Sequence, residues 1–254
     1  MMPGARGRLL LMAPAGLSLL AALWAGLIRL GWPLPPLTSS LVANHGPLMV
    51  VGFLGTLIGL ERAVALKRRW AYGAPGLAGL AGITLLLGLP IETGQVLAAA
   101  GSLLLLAIFV FLYRLERASF FATMGLGALL LFVGNVLWPW GWPLYQVVPW
   151  WVGFLVLTIA GERLELSRLL PLSEWIRAGF FLANSVVVTG LLVGLIAFHT
   201  GIRLSGLGLL GLALWLLRYD MAWRTLRQGG LPRYMAICLL SGYLWLGVGG
   251  LSWL

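Results

Sequence analysis

Long charge-free apolar runs, separated by short clusters of Arg, Lys and Glu, set the pattern of this chain. A membrane-crossing helix takes roughly 20 consecutive apolar residues, and runs of that length recur from end to end. Leu9–Ile28 gives a first segment, and Leu41–Leu60 a second that runs into Glu61, Arg62, Lys67, Arg68 and Arg69. Ala71–Ile91 and Thr93–Tyr113 follow as the third and fourth. The stretch Ala118–Gly161 carries no charge and is too long for one crossing. Its knot Trp138-Pro139-Trp140-Gly141-Trp142-Pro143 divides it into a fifth and a sixth segment, because proline breaks a helix and tryptophan favours the membrane interface. Ala178–Phe198 is the seventh and Tyr234–Leu254 the ninth. The eighth, Leu204–Leu217, has only fourteen residues before Arg218 and Asp220. It either extends to about Trp223 with Arg218 snorkelling, or dips part way into the bilayer. The pattern therefore predicts an all-α polytopic membrane bundle of about nine transmembrane helices. The basic start before Leu9 imitates a secretory signal, but the run behind it is as long as a full crossing and reads as a retained first helix.

Composition agrees with this picture. At 61% apolar and 9% charged residues, a chain has too little polar surface to meet water as a soluble domain. A net charge of +10 is also a property of nucleic-acid-binding proteins, but those gather their basic residues on one solvated patch with aromatics among them. Here the basic residues sit in clusters between apolar runs, which excludes nucleic acid and makes the lipid bilayer the partner. With the N-terminus placed in the cytoplasm, only Arg29 and Arg203 of the 17 Lys and Arg fall outside. That is a strong positive-inside pattern, predicting a multi-pass protein of the cytoplasmic membrane with its C-terminus external. Cys238 is the sole cysteine, so no internal disulfide and no cysteine-based metal cage is available.

An internal repeat overlies the segments. Val51-Gly52-Phe53-Leu54, Ile58 and Glu61-Arg62 recur as Val152-Gly153-Phe154-Leu155, Ile159 and Glu162-Arg163 at a constant offset of 101 residues. Gly31-Trp32-Pro33-Leu34 returns as Gly141-Trp142-Pro143-Leu144 ahead of the same helix. Because four segments separate the copies, the repeats run parallel: about 9–117, about 118–227, and an extra helix at 234–254. The position equivalent to His45 is Gln146, so the histidine lies outside the shared scaffold, whereas the two Glu-Arg pairs belong to it.

The chemistry-bearing residues concentrate in the second segment, from Asn44-His45-Gly46-Pro47 to Glu61-Arg62. On a regular helix His45, Gly52 and Thr56 share a face, with Met49 and Gly59 close by, so the imidazole looks toward other helices. His45 reads either as a metal or heme ligand, since an inward ionisable group in a membrane helix is a candidate site, or as an interfacial histidine hydrogen-bonded to the preceding loop. His199, at the outer end of the seventh segment, is a second candidate axial ligand, or faces lipid headgroups. Met49 is a pocket wall rather than a co-ligand, being one turn from His45 on the same helix. Arg203 and Arg29 are either partners for heme propionates or another anion, or solvated helix ends. Trp32, Trp138, Trp140, Trp142, Trp150 and Trp151 form an interfacial belt or line a flat aromatic site. Glu61, Arg62, Glu162 and Arg163 are structural ion pairs or a proton path; Asn135, Asn184, Thr56 and Thr158 are ordinary intramembrane hydrogen-bonding groups.

The run Ala43-Asn44-His45-Gly46-Pro47-Leu48-Met49-Val50, with Gly52-Phe53 and Ile58-Gly59, resembles the second helix of the heme-copper oxidase subunit I and NnrS superfamily, where a histidine at the outer end binds heme. The resemblance implies that His45 ligates one heme b, for electron transfer or for nitric-oxide or heme handling beside a respiratory or denitrification partner. The superfamily's core has twelve helices and further histidines, so neither oxygen reduction at a heme-copper centre nor a full NnrS site carries over. Two other classes stay open: a small transporter with its substrate between the repeats, and a cofactor-free structural subunit of a membrane complex.

Overall fold

The computed structural model of the chain describes residues 5–38 and 40–254. The protein is all-α, and among the described residues eight helices are long and apolar enough to cross a membrane. In chain order these and their companions are α1 (Ala5–Arg29), α2 (His45–Leu66), α3 (Gly73–Leu86), α4 (Ile91–Leu115), α5 (Ser119–Leu137), α6 (Leu144–Leu166), α7 (Glu174–Gly194), α8 (Phe198–Tyr219), a single turn α9 (Ala222–Thr225) and α10 (Gly230–Ser252). Two compact units divide within α6, one ending at Phe154 and the other comprising Leu155–Leu254.

The bundle of about nine helices stands, with differences at the ends. The expected third crossing is the shortest: α3 has 14 residues, about 21 Å of helix at 1.5 Å per residue. A 3₁₀ turn at Arg69–Tyr72 leads directly into it and adds about 8 Å. The expected seventh segment ends early, at Gly194, and its last residue opens the next helix. As a result the expected eighth segment is not short: α8 has 22 residues and is long and apolar enough to cross a membrane. The break at residues 195–197 contains no glycine or proline and is as apolar as its flanks, which is why hydropathy runs straight through it.

Within the first unit, α2 departs from regular helix. After the turn His45–Pro47 the backbone widens into a π-helical stretch, Leu48–Gly55, before returning to α-helix at Thr56. Pro47 falls in the first turn, where a missing N–H costs nothing. Lys67, the one non-glycine residue with positive φ (54°) among the described residues, ends α2 in the left-handed conformation, and its N–H bonds to Ala63 O at 3.1 Å. Three backbones then meet at Ser18, Gly52 and Gly82. A Cβ on Gly52 would lie 2.9 Å from Ser18 Cβ and 3.0 Å from Gly82 Cα, so no side chain fits there. Gly101 of α4 approaches α3 in the same way, its Cβ position 3.0 Å from Ala78 N. In lipid, where apolar contacts carry little hydrophobic driving force, such small-residue approaches supply the packing.

The second unit repeats the device. Gly190 and Gly194 of α7 face Gly201 and Ser205 of α8 at backbone contact, and Ser205 Oγ donates to Val187 O at 3.2 Å. Gly206 and Gly250 join α8 to α10, with a Gly206 Cβ position 2.6 Å from Gly250 O.

A direct check uses paired glycines. Gly201→Ala forces a methyl into the α7 backbone and is expected to cost about 3 kcal/mol or more, whereas Gly242→Ala, with nothing within 4 Å, stays within about 1 kcal/mol of the parent. Thermal unfolding of both variants in the same detergent measures the difference; equal midpoints would remove close backbone approach as the packing principle.

Candidate functional site

His45 opens α2 and is turned on to α1. Its Nδ1 lies 2.7 Å from Ala22 O; a carbonyl only accepts, so Nδ1 carries the proton and donates. In the neutral ring the lone pair is then on Nε2. Gly26, one turn beyond Ala22, makes room for the imidazole: a Cβ there would stand 3.1 Å from Cε1 and 4.0 Å from Nε2. The ring is half-buried. Neither Ala22 nor Gly26 stood out in the sequence, because a carbonyl acceptor and an absent side chain leave no chemical signature there.

Next to this histidine lies a polar network that hydropathy presents as ordinary core. Asn135 of α5, fully buried, donates through Nδ2 to Ala98 O (3.1 Å) and to Ser102 Oγ (3.2 Å) on α4. Its Oδ1 accepts from the Trp151 indole at 2.9 Å. Trp151 packs edge-on against Trp138 with centroids 5.8 Å apart, and its Cζ3 is 3.7 Å from the Cβ position of Gly46, the residue after His45. Trp138, Trp150 and Trp151 are thus core residues, at 5%, 4% and 0% exposure, not members of an interfacial belt; Trp32 and Trp140 remain exposed, at 59% and 76%.

The other candidates belong to different elements. Met49 is half-buried within the π-helical stretch. His199 is on the first turn of α8, in the second unit, exposed and edge-on to Phe198 at 5.9 Å; it does not end the preceding helix, because that helix has already stopped. Arg203, one turn on, is exposed. Glu61 is exposed and pairs with Arg62 at 3.3 Å, while Arg62 itself is buried with its guanidinium 5.9 Å from the Phe109 ring centroid. Glu162 and Arg163 are both half-buried in α6. Among the described residues no three His, Cys, Asp or Glu side chains gather as a metal site.

One cluster was missed in the sequence. Asp220, just past the end of α8, is 5% exposed, and its Oδ1 accepts the Ala222 N–H at 2.6 Å, starting α9. Arg163 and the Tyr243 hydroxyl act electrostatically on the same carboxylate. Asp220 Oδ2, Arg163 Nε and Tyr243 OH are buried, and none of the three closes a hydrogen bond. Burial holds the Asp220 carboxyl above the usual carboxylate range, opposed in part by the Ala222 N–H, Arg163 and Tyr243. The available signal was that Asp220 is the only aspartate in the chain, standing where a crossing ends.

The family model "Domain of unknown function (DUF8744)" matches residues 8–254, and the chain belongs to this family. No curated protein and no solved structure matches it.

The raised carboxyl of Asp220 fixes the sign of a pH effect. A group with a higher pKa folded than unfolded stabilises the fold at low pH, and that contribution fades as pH rises through the folded pKa. Asp220→Asn keeps an oxygen for the Ala222 N–H and removes the titration, so its thermal midpoint should gain on the parent's as pH rises from the ordinary carboxylate range, about pH 4, to neutrality. A gap that is flat or shrinks over that range contradicts the assignment.

Proposed function

We propose that this chain is a multi-pass protein of the cytoplasmic membrane, N-terminus inside, that holds one heme b near its outer face through His45. The reading follows the resemblance of the second helix to NnrS and heme-copper oxidase proteins, and assigns electron transfer or nitric-oxide handling. The observation that carries it is the 2.7 Å bond from His45 Nδ1–H to Ala22 O. Metal-binding histidines regularly donate their second ring nitrogen to a backbone carbonyl or carboxylate, which fixes the tautomer and raises the basicity of the ligating nitrogen. Two further observations support the reading: Gly26 leaves the imidazole its place against α1, and the π-helical stretch directly after His45–Pro47 is a distortion often found at functional sites.

Each residue then has a stated task. His45 offers Nε2, Ala22 holds the ring, and Gly26 makes its seat. Arg29, three residues beyond Gly26 on α1 and exposed, offers positive charge to a propionate. A b-type heme held by His45 would supply one-electron redox chemistry and a place for a diatomic molecule to bind. Trp151 and Asn135 stiffen the wall beside Gly46, and Met49 lines rather than ligates. The charge clusters on alternate connections support the orientation, and in that orientation His45 and His199 belong to the outer side.

Purified protein from heme-replete cells should show a Soret band. His45→Ala should reduce heme content about tenfold or more, and Gly26→Leu, which fills the ring's seat, should do the same with His45 intact. His199→Ala should leave the spectrum unchanged if His45 is the sole axial ligand. Colourless parent protein, or a band that survives His45→Ala, overturns the proposal and leaves His45 as a pin between α1 and α2.

A further inference from the structure

Two adjoining clefts in the second unit share one edge. The first is an apolar groove of about 770 Å³ between α7 and α8. Gly179, Gly208 and Gly211 form its floor, Leu182, Leu207 and Leu214 its walls, and Arg218 and Tyr219 its end. Those leucines are 66%, 51% and 59% exposed, so the groove opens outward along the helices. The second cleft, of about 520 Å³, begins at the same Arg218 and Tyr219 and continues past the end of α8, with Arg224, Arg227 and Trp223 in its lining. An apolar channel therefore leads into a cationic one at the point where a membrane helix ends.

The charge balance of the second cleft is positive. Asp220 also lines it, but it is one buried acid, with Oδ1 taken by the Ala222 N–H, against three arginines. Arg218, Arg224 and Arg227 are exposed. Arg218 is held over the Tyr219 ring at 5.3 Å, and the Trp223 indole donates to Leu217 O, so α9 is tied back against the end of α8. From Leu207 to Arg218 the groove follows α8 for about 16 Å, close to one leaflet of a hydrocarbon core about 30 Å thick. Trp223 beside basic side chains is the interfacial chemistry that meets headgroups.

We propose that this composite site binds an acidic phospholipid, its phosphate held by Arg218, Arg224 and Arg227 and one acyl chain laid along the α7–α8 groove. The site lies wholly in the second unit and does not depend on the heme reading. Neither half is sufficient. The arginines alone would take any phosphate, and the groove alone any acyl chain; their junction at Arg218 and Tyr219 selects a molecule carrying both.

The test uses the delipidated full-length protein in detergent, titrated with phosphatidylglycerol, phosphatidylcholine or inorganic phosphate, and read by native mass spectrometry and thermal midpoint. Phosphatidylglycerol should be retained at least about tenfold over phosphatidylcholine, with R218Q/R224Q/R227Q abolishing the preference and R218K/R224K/R227K keeping most of it. Gly211→Leu fills the groove floor, where a Cβ meets only Ala183 Cβ at 3.5 Å, and should weaken retention of both lipids without unfolding the chain. Equal retention of the two lipids by the parent protein overturns the proposal. So does a midpoint rise with inorganic phosphate as large as with phosphatidylglycerol and indifferent to Gly211→Leu, which would assign the arginines to a free anion.

Discussion

The structure depends on how closely its backbones approach one another. In lipid an apolar side chain gains nothing by leaving its neighbours for another helix, so helices are held by van der Waals contact and by the hydrogen bonds that contact permits. Ser18, Gly52 and Gly82 form one such clamp, and Gly190, Gly201 and Ser205 another. The first clamp also sets the histidine. Ala22 and Gly26 continue the stripe that Ser18 begins on α1, each one turn further along. Locking Ser18 against Gly52 brings the start of α2 to that stripe, and His45 reaches the Ala22 carbonyl because the helices are already held together below it.

The burial of polar groups follows from the same constraint. A side chain inside such a bundle has no water to bond with, so a buried donor depends on a carbonyl or another side chain for its bond. Asn135 spends both ends of its amide, on α4 and on Trp151. Ser102 bonds back to Ala98 O at 2.9 Å within its own helix while accepting from Asn135. The wall beside Gly46 is therefore stiffer than an all-leucine wall, since moving Trp151 would strand the Asn135 oxygen.

Much of this was legible from hydropathy and charge. The crossings read as runs, and the Trp-Pro knot at 138–143 does separate α5 from α6. Three things were not legible, each for a physical reason. The α7–α8 turn carries no polar or breaking residue, so its position moved His199 from the end of one helix to the start of the next. The π-helical stretch in α2 breaks the regular angular spacing on which any face assignment over 45–59 relies. Finally, the tryptophans were divided between membrane surface and core by their neighbours: Trp151 is buried because Gly134 and Gly46 leave it space, and Trp140, two residues from equally buried Trp138, remains outside.

The two Glu-Arg pairs show how far a repeated sequence constrains chemistry. Arg62 lies over Phe109, beside an exposed Glu61, where a flat guanidinium is satisfied by an aromatic face and a solvated carboxylate. Arg163 lies instead within reach of the only aspartate in the chain and a buried tyrosine hydroxyl. The dipeptide sits near a helix end in both copies, but the further partner of its arginine comes from outside the matched motif: Phe109 of α4 in one case, Asp220 in the α8–α10 connection in the other. That second partner has a consequence for its surroundings. Asp220 lines the cleft that Arg218, Arg224 and Arg227 share, but it is buried and its Oδ1 is taken by the Ala222 N–H. A basic surface at the end of this crossing thus follows from three exposed arginines set against one buried acid, and not from the arginine count alone.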